Sequence, residues 1–312
     1  MAAADWPGRF AQWDVPGRTL SPVLTALFIA LLSLLCASPT CAAEPVLAAL
    51  PLPELTAHLV ARYGGQQPAQ WGPALPGTLT RLPVSGVSGV PGVSGASAVP
   101  PAPLASKAGP VTVALTFDAC GGGYDATIIA LLRELRVPAT LFLAGPWLAA
   151  HPAEAADLAA DPLFEIANHG ARHRPASVTG RAAYGIRGTR TVAEFVDEVE
   201  SNARRLAALT GARPRFYRAA TLFSDEVAVR IAADLGQTVT GCTVAADAGA
   251  TLPAPVVARN LLAARNGDIL LLHMNKPNAG SGAGLRAALP ELLRRGVRFV
   301  HLSDAVDPAG VR

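Results

Sequence analysis

The sequence predicts an α/β fold in which seven strands alternate with helices. The chain has 312 residues, of which 51% are hydrophobic and 16% charged, so it can bury a large core and is not disordered throughout. From Val111 onward, short apolar runs alternate with longer segments whose apolar residues recur at helical spacing. Helices between successive strands act as crossovers and require parallel pairing. Seven strands are one fewer than a closed eight-stranded barrel has, so a distorted barrel and an open doubly wound sheet both fit.

Each predicted strand is a short apolar run that ends near polar residues. In chain order the strands are VTVALTFD, PATLFLA, FEIANH, RFYRAA, TVTGCTV, DILLLHM and RFVHLS. The predicted helices are longer and amphipathic. In chain order they are YDATIIALLREL, WLAAHPAEAADLAA, TVAEFVDEVESNARRLAALTG, SDEVAVRIAADLG, PAPVVARNLLAA and AGLRAALPELLRRG. The longest helix is expected to end at Gly211, a residue type that suits a helix C-terminus.

Residues 1–43 have the composition of a secretory signal peptide. Arg9 and Arg18 form a basic region, the apolar run Val23–Leu35 follows, and the small residues up to Ala43 suit cleavage by signal peptidase. The apolar run is shorter than the roughly 20 residues that span a bilayer, so no transmembrane anchor is expected after cleavage. The sequence therefore predicts a secreted or periplasmic protein.

Two segments precede the predicted α/β domain of residues 111–312. Residues 44–83 contain one amphipathic stretch, LPELTAHLVARY, and their role stays open. Residues 84–110 include the repetitive segment VSGVSGVPGVSGASAVPPAP, which has no charged or aromatic residue. Such a composition cannot bury enough surface to offset its ordering entropy, so it predicts a flexible linker and a domain boundary.

Charge and cysteine content restrict the partners and the covalent bonds. The net charge is only +3 and the Lys and Arg residues are scattered, so nucleic-acid binding is not expected. Two of the four cysteines lie in the signal peptide, which leaves Cys120 and Cys242 in a compartment where disulfides form. They either pair with each other or stay as two separate thiols. The oligomeric state is left open.

Polar side chains lie at the ends of five of the predicted strands. Because the carboxyl ends of parallel strands meet at one rim, their convergence indicates a catalytic site. The residues are Asp118, His169 with His173, Arg218, Asp247 and His273.

The spacing of His169 and His173 suggests a metal site. An interval of four positions lets two imidazoles reach one ion from a single turn of chain, and imidazole ligands favour zinc among the divalent metals. Such an ion can polarise an acyl oxygen and activate water, so hydrolysis is the expected use.

Five motifs in order resemble the polysaccharide deacetylases of carbohydrate esterase family 4, also called the NodB homology domain. They are TFDAC, NHGARH, FYRAA, DAGAT and LLLHMN, and the resemblance covers about Val111–Asp304. It implies a distorted seven-stranded (β/α) barrel that removes acetyl groups from N- or O-acetylated glycans, with a metal held by two histidines and an aspartate. It further implies that Leu271 and Leu272 line the acetyl pocket.

The resemblance also implies roles for four of the strand-end residues. Asp118 matches the general base, and Arg218 matches the arginine that orients it, although the family's RPPYG is RAATL here. His273 matches the general acid, and Asp247 is the match for the carboxylate that keeps it protonated.

The metal motif departs from the family at one position. His169 and His173 match the metal-binding histidines, but Ala119 stands where the family has its aspartate ligand. Asp125 could replace that aspartate, or could instead cap the following helix. Asp118 could also turn towards the metal, two histidines and water could hold it without a carboxylate, or the metal could have been lost.

These observations predict a metal-dependent hydrolase that removes acetyl groups from an extracellular polysaccharide. The alternative suggested by Ala119 is a glycan-binding pseudoenzyme, and a third possibility is a cell-wall protein whose linker provides the tether. The sequence does not identify the glycan.

Overall fold

The structure is a computed structural model that describes residues 47–83 and 110–306. The predicted signal peptide and residues 84–109 of the predicted linker lie outside these residues. Both described ranges belong to one compact unit. No helix within these ranges is long and apolar enough to cross a membrane.

The strands of the described residues are short except for the second. They are β1 (Trp71–Gly72), β2 (Thr112–Ala119), β3 (Ala139–Leu143), β4 (Phe164–Asn168), β5 (Ala182–Ala183), β6 (Ile186–Arg187), β7 (Phe216–Tyr217), β8 (Ser224–Asp225), β9 (Thr238–Val239), β10 (Val244–Ala245), β11 (Ile269–His273) and β12 (Arg298–Val300).

Helices connect most of these strands. They are α1 (Leu52–Tyr63), α2 (Ala126–Leu135), α3 (Gly145–Ala150), α4 (Pro152–Ala160), α5 (Val192–Thr210), α6 (Glu226–Asp234), α7 (Ala254–Leu262), α8 (Gly280–Arg294) and α9 (Leu302–Ala305). The predicted helix WLAAHPAEAADLAA is divided at His151 into α3 and α4, because Pro152 begins a new helix there. As predicted, α5 ends at Gly211, which has a φ of 77°.

The main sheet is parallel and curls into a distorted barrel. Its strand order is β10-β11-β2-β3-β4-β7-β9, and β12 pairs with the first half of β2 while β3 pairs with the second half. The predicted strand TVTGCTV is divided, and its halves β9 and β10 form the two opposite ends of the order. Only residues 240–243 separate these ends, so the sheet curves back on itself. The predicted α/β distorted barrel is therefore confirmed.

Side-chain alternation along the strands separates an outer core from the barrel interior. On β2, Val113, Leu115 and Phe117 pack outward with residues of the surrounding helices. Ala114, by contrast, packs inward with residues of β3, β4, β7, β11 and β12. Asp118 shares this inward parity, so the register of β2 places its carboxylate at the carboxyl-terminal rim.

Residues 47–83 pack on the barrel. Leu55, Leu59 and Tyr63 of α1 are buried in a cluster with residues of α5 and α6. Further along, β1 pairs with β8, and the backbone of Leu79 bonds to Val239 and Gly241 beside the gap between the two sheet ends. The segment whose role the sequence left open therefore covers one side of the barrel.

Candidate active site

A cleft of about 590 Å³ opens at the carboxyl-terminal rim of the barrel. It brings together residues that are up to 158 positions apart in the sequence, from Asp118 to Lys276. Its polar lining includes Asp118, Cys120, His169, His173 and His273.

Arg218 holds Asp118 at the bottom of the cleft. Its Nη1 donates to Asp118 Oδ1 at 2.8 Å, and both side chains are buried. The same guanidinium also donates to the carbonyls of Thr240 and Gly241 and lies 3.9 Å from the centre of the Phe142 ring. Burial raises the pKa of the Asp118 carboxyl, but nearby cationic groups outweigh it and the pKa lies below its ordinary value. Asp118 is therefore a fixed carboxylate whose Oδ2 faces the cleft.

The two histidines of the HxxxH motif lie on a loop after β4. Their rings approach edge to face with centroids 4.8 Å apart. His169 Nδ1 lies 2.8 Å from the Arg218 carbonyl, which can only accept, so Nδ1 carries the proton. His169 Nε2 is directed at the cleft, 3.5 Å from both Asp118 Oδ2 and Cys120 Sγ. Gly170 and His173 both have positive φ, at 83° and 58°, so the motif forms a tight turn and not a helix.

Glu198 on α5 supports this loop, a role that sequence analysis missed. Its carboxylate accepts the backbone N–H groups of Arg172 and Arg174 at 2.9 and 3.0 Å, and its carbonyl accepts that of Ala171. A Cβ at Gly170 would lie 2.3 Å from Glu198 Oε1, so only glycine fits there. The available signal was a glutamate on the apolar face of a predicted helix.

Cys120 completes a cluster with the two histidines. Ligand atoms of Cys120, His169 and His173 all lie within 4.8 Å of one another, and Cys120 Sγ is 3.5 Å from His169 Nε2. Burial raises the pKa of the thiol, but the hydrogen bond with His169 and the other histidines lower it to about 4. Sequence analysis considered Cys120 only as a disulfide partner or a buried thiol. Cys120 and Cys242 are both free cysteines in the structure.

This donor set fits a divalent metal. Two imidazoles and a thiolate are ligands that zinc accepts readily. With Zn–S of about 2.3 Å and Zn–N of about 2.1 Å, tetrahedral geometry places a sulfur and a nitrogen about 3.6 Å apart. The observed distance of 3.5 Å between Cys120 Sγ and His169 Nε2 matches that edge.

Asp247 holds His273, which lies on β11 directly beside Asp118 of β2. Asp247 Oδ1 lies 2.9 Å from His273 Nδ1, while Oδ2 accepts the His273 backbone N–H and the Ser281 hydroxyl. Burial lowers the pKa of His273, but Asp247, Cys120 and Asp118 raise it to about 10. His273 is therefore protonated at neutral pH, and its side chain lines the cleft.

The two predicted acetyl-pocket leucines lie on opposite faces of β11. Leu271 lines the cleft, in the same parity as His273. Leu272 packs in the outer core among the helices and does not line the cleft. Alternation along a strand allows only one of two consecutive residues to face the site.

Asp125 acts as a helix cap. It precedes α2, and its Oδ1 accepts the backbone N–H of Thr127 at 3.1 Å and the Thr127 hydroxyl at 2.6 Å. Its side chain is buried against Gly282, and the cleft lining does not include it. The structure therefore favours a capping role over a ligand role for Asp125.

An exposed aromatic side chain lies at the mouth of the cleft. Tyr184 is 81% exposed and sits in the two-residue turn between β5 and β6 with Gly185, both at positive φ. Its ring contacts Phe223 edge to face, and Phe223 in turn contacts Trp71 from the segment before the linker.

Asn275 also lines the cleft. Its Oδ1 is buried and has no hydrogen-bond partner among the described residues.

Several solved structures have a similar fold, among them members of carbohydrate esterase family 4. They include a family 4 pseudoenzyme from Bacillus anthracis (22% identity, 64% of this chain and 66% of that one, TM-score 0.55), of which a mutant has restored enzymatic activity. Another is a peptidoglycan N-acetylglucosamine deacetylase (23% identity, 63% and 88% covered, TM-score 0.54). A third is a family 4 acetyl xylan esterase from Clostridium thermocellum, in complex with a cobalt ion (22% identity, 64% and 93% covered, TM-score 0.53).

The distorted barrel of this chain is thus similar to the fold of solved carbohydrate esterase family 4 proteins. A family profile described as polysaccharide deacetylase matches residues 105–240. Comparison with curated proteins gave no match. The profile match and the similar fold agree with the resemblance to polysaccharide deacetylases of the NodB type that the motifs predicted.

Proposed function

We propose that the protein is a metal-dependent hydrolase that removes acetyl groups from an extracellular polysaccharide. The observation that carries the proposal is the arrangement of one cleft. A carboxylate held by Arg218 and an imidazole held by Asp247 line the same cleft as the cluster formed by Cys120, His169 and His173.

Asp118 is suited to accept a proton from the attacking water. Only its Oδ1 is bound by Arg218, and Oδ2 faces the cleft beside His169 Nε2 at 3.5 Å. The lowered pKa keeps the carboxylate ionised and ready to accept. The arginine fixes its orientation through a buried, charge-assisted hydrogen bond.

His273 is suited to donate a proton to the leaving nitrogen or oxygen. Its Nδ1 proton is held by Asp247, so Nε2 is the atom that can donate into the cleft. The raised pKa keeps that proton in place at neutral pH. Base and acid are thus kept in opposite protonation states by separate partners.

A divalent metal held by the histidines, with zinc favoured by their nitrogen donors, would supply Lewis-acid polarisation of the acetyl oxygen and activation of water.

The mouth of the cleft suits a sugar chain. Tyr184 presents an exposed ring, and rings of this kind pack against the apolar face of a sugar while leaving its hydroxyls hydrated. The predicted signal peptide supports action outside the cytoplasm.

A second candidate function is glycan binding without turnover. Ala119 at the position of a family ligand favours it, and one of the similar structures is itself a pseudoenzyme.

Acetate release distinguishes the two. The purified chain is incubated with acetylated chitin oligomers, peptidoglycan fragments and acetylated xylan, before chelation, after chelation and after zinc is restored. We expect release on at least one substrate, loss with chelator and recovery with zinc. Stoichiometric metal with no release from any of the three would support the binding function instead.

A further inference from the structure

We infer that Cys120 is the third protein ligand of the metal and takes over the function of the carboxylate that is absent at position 119. The inference rests on the proposed metal site and specifies its ligands. It follows from strand geometry, from interatomic distances and from the hydrogen bonds that the neighbouring carboxylates already make.

The strand geometry directs residue 120, and not residue 119, to the cleft. Asp118 faces the barrel interior, and consecutive side chains on a strand point to opposite faces. Ala119 accordingly is fully buried in the outer core among the helices. Cys120 returns to the parity of Asp118 and lines the cleft. Position 119 therefore supplies no donor atom, whereas position 120 lies in the cleft.

The distances place the thiol where a ligand is needed. Cys120 Sγ lies 3.5 Å from His169 Nε2, close to the edge of about 3.6 Å expected between a sulfur and a nitrogen on one tetrahedral zinc. His173 completes a triangle in which every pair of donor atoms lies within 4.8 Å. Three protein donors and one open position are the usual arrangement of a catalytic zinc site.

The nearby carboxylates have other partners. Asp125 caps α2 through Thr127. Asp247 is bound to His273 and Ser281. Asp118 is held by Arg218, and the base function requires its remaining oxygen. The thiol of Cys120, by contrast, takes no part in the proposed proton transfers and lies next to the histidines.

A thiolate changes which metals the site prefers. Softer sulfur favours zinc and cobalt over magnesium, manganese and calcium, which prefer oxygen ligands. The chain is therefore expected to select zinc more strongly than a site with two histidines and an aspartate would.

Cobalt substitution tests the inference without relying on activity. The chain and its Cys120→Ser, Cys120→Asp and Cys242→Ser variants are stripped of metal and titrated with Co²⁺ while absorbance is recorded. Bound cobalt with a sulfur ligand gives a near-ultraviolet charge-transfer band that oxygen and nitrogen ligands do not give. Cys242→Ser is the matched control because it removes the other free cysteine.

We expect one cobalt per chain with the sulfur band in the wild type and in Cys242→Ser. Cys120→Ser should lose the band and bind at least about tenfold more weakly, since even outer-shell partners of ligands contribute that much. Cys120→Asp should lose the band but recover much of the affinity. Circular dichroism checks that each variant is folded.

Cobalt bound by the wild type without the band, or unchanged affinity in a folded Cys120→Ser variant, would overturn the inference. Acetate release judges the proposed function separately. A sulfur band without turnover would support the assignment of Cys120 as a ligand and contradict the proposed deacetylase function. Turnover without the band would support the deacetylase function and contradict the ligand assignment.

Discussion

At the residue scale, the site consists of two groups whose protonation is set by a fixed partner. Arg218 is buried and donates to four protein acceptors. Its guanidinium therefore cannot turn away from Asp118 without breaking several other hydrogen bonds. Asp247 is equally buried and accepts three hydrogen bonds. Each partner adds rigidity as well as charge, which is the usual requirement for preorganised catalysis.

Replacement of Asp247 by Asn should shift the alkaline limb of the pH profile of kcat/KM. Burial lowers the pKa of His273 and Asp247 raises it, so removing the negative charge lowers it from about 10. Since an acid must be protonated, activity falls as pH rises through that pKa, and the limb should move down by about 1–3 pH units. The pH profile of acetate release measures it.

The matched control is Ser281→Ala, which removes one hydrogen bond to Asp247 but keeps the charge. Its limb should move by less than that of the Asn variant. Equal profiles for wild type and Asp247→Asn would show that His273 does not donate the proton.

Tyr184→Ala should raise KM several-fold for polymeric substrates and leave kcat nearly unchanged. The ring lies at the mouth of the cleft and is 81% exposed, so it can contact the glycan without touching the reacting atoms. Stability should change by no more than about 0.5 kcal/mol. Steady-state kinetics on long and short oligomers measure the effect, and Tyr184→Phe should behave as wild type. A KM that is the same in all three proteins would exclude a contact between ring and glycan.

At the element scale, α5 determines the shape of the histidine loop. Asn168 at the end of β4 contributes as well, because its Oδ1 accepts from Gly170 and from Asn202. The loop is therefore held by buried polar groups of a helix and a strand.

Glu198→Gln should weaken metal binding and destabilise the protein. A glutamine retains one acceptor oxygen, so one of the N–H groups of Arg172 and Arg174 loses its partner in a buried place. The expected cost is about 1–3 kcal/mol in the free energy of unfolding, with metal affinity lower by about tenfold. Denaturant unfolding and metal titration measure the two quantities.

Asp197→Asn is the control, because the neighbouring Asp197 pairs with Arg172 at the surface of the same helix. It should cost about 1 kcal/mol or less and leave metal affinity unchanged. If Glu198→Gln behaves like this control, α5 does not position the loop.

The cap of α2 provides a prediction about Asp125. Asp125→Asn should change the stability little because Asn caps about as well as Asp, and Asp125→Ala should cost about 0.5–2 kcal/mol. Neither should change metal affinity, which isothermal titration of the metal-free chain would measure. A tenfold loss of affinity in the Asn variant would instead make Asp125 a ligand.

At the scale of the whole molecule, the segment before the linker contributes to the stability of the barrel. Leu59 of α1 is fully buried against helices of the α/β domain, whereas the adjacent Val60 is 39% exposed. Leu59→Ala should lower the free energy of unfolding by about 2–5 kcal/mol, and Val60→Ala by about 0.5 kcal/mol or less.

Thermal unfolding followed by circular dichroism measures both variants. Because 47–83 and 110–306 form one compact unit, Leu59→Ala should shift a single transition of the whole domain. A main transition unaffected by Leu59→Ala would mean that the segment folds independently.

The sequence by itself determined the features that depend on local pattern. Strands and helices follow from apolar periodicity over about ten residues, and the strand-end residues from Asp118 to His273 stand out because parallel strands share one rim. The end of α5 at Gly211 was likewise predicted from the local sequence.

Only the tertiary structure decided the features that depend on contacts between distant residues. The division of TVTGCTV into two strands follows from closure of the sheet, since one end pairs with β7 and the other with β11. Cys120 contacts His169, which is 49 positions away in the sequence. The buried residues of α1 pack against α5 and α6, which lie much further along the chain. Periodicity carries no information about such pairs, because which surfaces meet depends on how the entire chain packs.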